Sequence, residues 1–95
     1  MPDRFELAAN QTWQGFPSGG VMLDLASGKY YEGNTVAAVI WRCLTHPTSL
    51  EELCAVIERC CEGRVPATLK RDVEAFLAEC MDAGLILKKS YEQEG

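Results

Sequence analysis

The sequence predicts an α+β domain of the winged helix-turn-helix type, in which a small antiparallel sheet of three strands precedes three helices. In the first third, two apolar runs alternate with period two on either side of Ala26-Ser27-Gly28. The remainder carries three apolar stripes at the i, i+3, i+4 spacing of amphipathic helices, with recognisable start and stop residues. At 95 residues the chain suffices for one core and one domain, 1–95. Within it, 5–32 reads as β-rich, 34–84 as helical and 88–95 as a flexible polar tail.

Phe5-Glu6-Leu7 is a short strand, and Asn10 to Gly20 reads as an irregular loop or ragged edge ending in Pro17, Ser18, Gly19 and Gly20. Val21 to Leu25 and Lys29 to Glu32 form a hairpin with Gly28 in a left-handed turn position. Val21, Leu23 and Leu25 share one face, and Met22 and Asp24 the other. Asn34 caps a helix from Thr35 whose stripe is Ala37, Ile40, Trp41 and Leu44, stopped by His46 and Pro47. Thr48-Ser49-Leu50-Glu51-Glu52 carries the capping-box spacing and opens a second helix with Leu50, Leu53, Cys54, Ile57 and Cys61 inward. Pro66 suits the first turn of a third helix, whose stripe is Leu69, Val73, Phe76, Leu77 and Cys80 and whose stop is Gly84. Leu85-Ile86-Leu87 is then an apolar exit segment.

Hydrophobic residues make up 47% and charged residues 24%, a globular balance, and the formal net charge is −5. An acidic chain is poorly suited to binding driven by nucleic-acid phosphates. Neither a signal peptide nor a run of eighteen uncharged apolar residues occurs, so a cytoplasmic protein without a membrane span is expected. The five cysteines include no C-x-x-C pair and read as reduced, small apolar residues.

Chemistry-bearing constellations are sparse. The one histidine, His46, sits at a helix C-terminus, where a cation interacts well with the helix dipole. Cys60-Cys61 beside Arg59 and Arg64 could hold a thiolate, but without a resolving geometry; a thiol-dependent redox protein is an alternative on this ground alone. Cys43, Cys54, Cys80 and His46 lack the paired spacing of a zinc site, and Gly19-Gly20 precedes a strand rather than a helix. No catalytic residue, metal or cofactor is therefore expected. The other alternative is a winged-helix transcription regulator. Against it, the third helix from Pro66 to Ala83 has two basic and four acidic residues, net −2, and little with which to read bases.

The ordered set Leu23-Asp24-Leu25, Ser27-Gly28-Lys29-Tyr30-Tyr31, Asn34, Ala37, Ile40-Trp41, Ser49-Leu50-Glu51-Glu52-Leu53, Asp72-Val73-Glu74-Ala75-Phe76-Leu77 and Gly84-Leu85-Ile86 resembles the PqqD family. These are recognition elements for the precursors of ribosomally made, post-translationally modified peptides. The length resembles the stand-alone elements of lasso-peptide clusters. The chain departs from the family pattern in having Gly33, where leucine commonly precedes the capping asparagine, and Cys80, where leucine is usual. The first departure is expected to loosen the junction between strand and helix.

The resemblance implies a non-enzymatic adaptor that binds a precursor leader peptide as a strand added to the sheet edge, next to the third helix. It then hands the precursor to a leader-processing protease or other modifying enzyme. The implied edge is Lys29-Tyr30-Tyr31-Glu32, and the implied helix wall is Leu69, Val73, Phe76 and Leu77, with Asp72 at the rim facing a basic leader residue. Val21 and Leu23 are candidates for the pocket floor. The tyrosines can equally be plain strand formers, the helix stripe plain core, and Asp24 a purely local turn residue. A proline at Tyr31 is expected to remove an edge amide.

Overall fold

The computed structural model describes residues 3–90. Nine elements follow one another: β1 (Asp3–Leu7), β2 (Gln11–Phe16), β3 (Gly19–Asp24), β4 (Tyr30–Gly33), α1 (Thr35–Cys43), β5 (Thr48–Ser49), α2 (Leu50–Cys60), α3 (Leu69–Asp82) and β6 (Ile86–Ser90). The architecture is the expected winged-helix-like α+β, with three helices. The strands, however, form two antiparallel sheets of three, ordered β5-β1-β6 and β2-β3-β4.

Three strands went unread in the sequence, each for a physical reason. β2 lies in the supposed loop, and most of its residues are exposed, so burial left little alternation to see. Pairing with β3 from Gln11–Asp24 to Phe16–Gly19 holds it instead. β5 spans only two residues. β6 contains Lys88 to Ser90, the start of the supposed flexible tail, in register with β1 from Leu7–Ile86 to Asp3–Ser90. Lys88 lies 3.7 Å from Asp3 and Lys89 2.8 Å from Glu6, contacts that bridge most of the chain's length. Residues 91–95, the rest of that tail, lie outside the described residues.

Local signals placed the helices closely. Asn34 Oδ1 accepts the Ala37 amide at 2.9 Å to start α1. Ser49 and Glu52 form the reciprocal capping box of α2, at 3.2 and 2.9 Å. Pro66, by contrast, stands ahead of α3, which begins at Leu69. The Leu69 amide donates to the Pro66 carbonyl at 3.1 Å, so a single turn intervenes. At the far end, the Leu85 amide donates to the Cys80 carbonyl, and β6 leaves from there.

Asp24 has the local job the hairpin needed. Its carboxylate accepts from the Ser27 hydroxyl, the Ala26 amide and the Gln11 side chain, and Gly28 has φ +77°. The Ser27 bond, the largest influence, holds the Asp24 carboxyl below its ordinary value, and the Ser49 backbone amide does the same for Glu52.

One core joins both sheets and all three helices. Met22, Ile40, Trp41, Leu44, Leu53, Ile57, Leu77 and Ile86 are its fully buried side chains. No helix among the described residues is long and apolar enough to cross a membrane.

Removing the Ser49 hydroxyl breaks one arm of the capping box, so Ser49→Ala should lower unfolding free energy by about 1 kcal/mol in urea titration at neutral pH. A carboxyl with a lowered folded-state pKa contributes its stability in full above its unfolded value and loses it as pH falls through the folded one. The destabilising effect of Glu52→Ala should therefore be largest near neutrality and shrink as the pH falls below about 4.5.

Candidate functional site

β4 is an outer strand of its sheet, paired on one side only, with β3. Gly20–Gly33, Val21–Glu32, Met22–Tyr31 and Leu23–Tyr30 stand opposite one another. The Asp24 amide donates to the Lys29 carbonyl at 2.9 Å, which makes that position a hydrogen-bonded pair. Antiparallel pairs alternate between bonded and non-bonded, so Tyr31 and Gly33 direct their amides and carbonyls to β3. Tyr30 and Glu32 direct theirs to the open edge. The expectation for Tyr31 is thus corrected: a proline there would break the β3–β4 ladder rather than blunt the edge.

The same register divides the side chains. Tyr31, on the Met22 face, is half-buried against the core, and Tyr30 is 65% exposed on the other face. Lys29 lies in the turn ahead of β4. Val21 and Leu23 share the outer face with Tyr30 and do not floor the groove. Period two defined two faces, and the more apolar of them is the one that α1 leaves uncovered. α1 covers the Met22 face instead, because Gly20 and Gly33 let it come close. A Cβ at Gly20 would stand 3.2 Å from Ala38 Cβ.

Next to the C-terminal end of β4 opens a groove of about 450 Å³ between α1 and α3. Five of the expected residues meet there: Glu32 from the edge, and Leu69, Asp72, Val73 and Phe76 from α3. Leu69 and Val73 are also core residues, so one stripe has both roles along its edge. Asp72 is exposed at the rim and accepts the Thr68 hydroxyl at 2.9 Å. Leu77 is not in this groove. It is 1% exposed and borders a separate hollow with Phe5, Leu50 and Met81. The opposite wall is Val36 and Ile40 of α1, which sequence reasoning missed as site residues. Val36 flanks the buried stripe one turn before Ile40, which belongs to it, and that i, i+4 spacing was the available signal.

Trp41 backs the groove. Its ring centroid lies 5.9 Å from that of Phe76, at an interplanar angle of 43°. A Cβ on Gly33 would come within 2.9 Å of the indole and 2.5 Å of Ala37 Cβ. Gly33 therefore does not loosen the junction; its missing side chain is the space that Trp41 and Ala37 occupy. Burial pushes the Cys80 thiol pKa up, with the Trp41 N–H working in the other direction, so Cys80 packs there as a small neutral group. Burial likewise raises the thiols of Cys43 and Cys54. Among the described residues, no three His, Cys, Asp or Glu side chains are grouped to hold a metal.

An open sheet edge beside an apolar groove, on a winged-helix-like scaffold, defines a peptide-docking class of domain. The family model described as coenzyme PQQ synthesis protein D (PqqD) matches residues 19–86, and the chain belongs to that family. Its fold is similar to that of TbiB1, solved in complex with the TbiA(beta) leader peptide, with a TM-score of 0.72 and 25% identity over 93% of this chain and 99% of that one. No match was found among curated protein sequences.

If Gly33 is needed for the indole, Gly33→Ala should cost about 1–3 kcal/mol by overpacking. The cost should fall in part in a Trp41→Leu background, since Ala37 Cβ still stands 2.5 Å from the added methyl. A double-mutant cycle in urea measures that coupling, and an unchanged cost would remove the indole from the explanation.

Proposed function

We propose that the chain is a non-enzymatic adaptor that binds the leader of a ribosomal precursor peptide by strand addition along β4 and presents the precursor to a leader-processing protease or other modifying enzyme. The observation that carries this reading is the open β4 edge lying beside the α1–α3 groove. Membership of the PqqD family and the likeness to TbiB1, whose structure contains a leader peptide, support it. The resemblance in length to stand-alone recognition elements of lasso-peptide clusters favours that pathway.

The chemistry required is binding alone. Tyr30 and Glu32 offer two amides and two carbonyls to an incoming strand, each bond worth about 1 kcal/mol net. These bonds are indifferent to leader sequence. Selectivity comes from apolar leader side chains entering the groove over Phe76 and Val73, each worth about 1.5–3 kcal/mol when fully buried. The Asp72 carboxylate at the rim favours a leader with a basic residue at that point. Val21, Leu23 and Leu77 take no part in this reading, and Lys29, Tyr30 and Tyr31 act through the backbone and position of the hairpin. Holding the leader raises the local concentration of the rest of the precursor at a bound enzyme. The place of work on this reading is the cytoplasm, where precursors are translated.

Glu32→Pro removes an amide that faces the open edge and leaves the β3 ladder intact. With the labelled leader of the precursor encoded in the same gene cluster, fluorescence anisotropy should report binding weaker by roughly tenfold or more. Circular dichroism should remain that of the parent. Unchanged affinity in a folded Glu32→Pro variant would rule out strand addition at β4.

A further inference from the structure

Thr68 occupies the N-cap position of α3 without capping it, since its side chain bonds to none of the amides of the first turn. Threonine is favoured at such a position because its oxygen ordinarily accepts the N–H two or three residues further on. Here the hydroxyl donates instead, to Asp72 Oδ2 at 2.9 Å. Both side chains are exposed, so a cap that would have held the helix is replaced by a bond that competes with water and adds little to the fold.

The surroundings of Asp72 show what that bond acts on. Residues three and four apart share a helix face, so Asp72 stands with Thr68, Leu69, Ala75 and Phe76, none of them charged. Lys70 lies toward Glu51 of α2, at 3.7 Å, and Arg71, the next residue in sequence, faces another way. A cation for the Asp72 carboxylate at the groove rim therefore has to come from outside α3. Thr68 does not line the groove; it holds one carboxylate oxygen from beyond the rim and leaves Oδ1 for a group inside. An exposed aspartate ordinarily samples several rotamers, and ordering it offsets part of what an ion pair gains. A hydroxyl bond to a carboxylate is charge-assisted, so here the ordering precedes the ligand.

We infer that Thr68 is a positioning residue for leader selection: its hydroxyl holds the Asp72 carboxylate toward the groove, and the chain thereby separates a leader with lysine or arginine at that point from one with a neutral residue. Thr68 acts through Asp72 and not by contact with the leader. This inference rests on leader binding in the α1–α3 groove, and the experiment below separates the two.

The test uses the full chain and the leader encoded in the same gene cluster, with each leader lysine and arginine exchanged in turn for glutamine. Affinity is read by fluorescence anisotropy at low salt, where exposed charges are least screened. One exchange should weaken binding to the parent chain by about fivefold, the upper range of an exposed ion pair. That ratio should fall to about one in Asp72→Asn and about twofold in Thr68→Val and Thr68→Ala, and return to the parent value in Thr68→Ser, which restores the hydroxyl. A purely structural role for Thr68 would weaken every leader alike and leave the ratio unchanged. A parent-like ratio in Thr68→Val and Thr68→Ala, or a Thr68→Ser ratio no higher than theirs, overturns the inference and leaves Asp72 in its role. Absence of any exchange to which the parent responds and Asp72→Asn does not overturns it together with the role of Asp72. Failure of the unaltered leader to bind the parent chain overturns the leader-binding reading itself, and the inference with it.

Discussion

The packing of Trp41 is the contact on which the binding side of the molecule depends. The indole is 1% exposed and meets the end of the edge strand at Gly33, its own helix at Ala37, and α3 at Phe76. Interiors are close-packed, so one large ring can be accommodated only where its neighbours are small. Gly33 and Cys80, the two positions where the family pattern commonly has leucine, are small here. At Gly33 the reason is steric: a Cβ there would meet both Ala37 Cβ and the indole. The ring thus lies between the end of β4 and α3, beside the groove.

The two sheets divide the work. β5-β1-β6 joins sequence-distant segments through backbone pairing and supports the capped start of α2. Its surface ion pairs, such as Arg4 with Glu52 of α2 at 3.1 Å, add little in water. The β6 edge carries Lys88 and Lys89, charges of the kind that discourage stray strand pairing. In β2-β3-β4 the edge strand β4 has four residues, and its open amides lie beside an apolar groove. An edge is ordinarily a liability; this one is kept short.

Much of the fold was legible because much of it is locally determined. Asn34, Ser49 and Glu52 act within three or four residues of themselves, and the helix stripes repeat at a spacing that a single helix imposes. The Leu69, Val73 and Phe76 wall was legible for the same reason. Val21 and Leu23 share a face by period two, but which face of the strand a helix covers is not written along the chain, and α1 covers the side carrying Met22 between Gly20 and Asp24. Val36 and Ile40 were overlooked because a wall made by two helices is a property of their crossing and not of either helix.

The sequence by itself determined the α+β class, the caps, the central hairpin with its Asp24 turn, and the family to which the chain belongs. Each is written in residues a few positions apart or in their order along the chain. Only the tertiary structure decided that the tail begins as a strand against β1, that Tyr30 and Glu32 rather than Tyr31 offer the open amides, and that an absent side chain at Gly33 seats a tryptophan. Those outcomes depend on which distant surfaces meet and how closely, and periodicity along a chain carries no distance between elements.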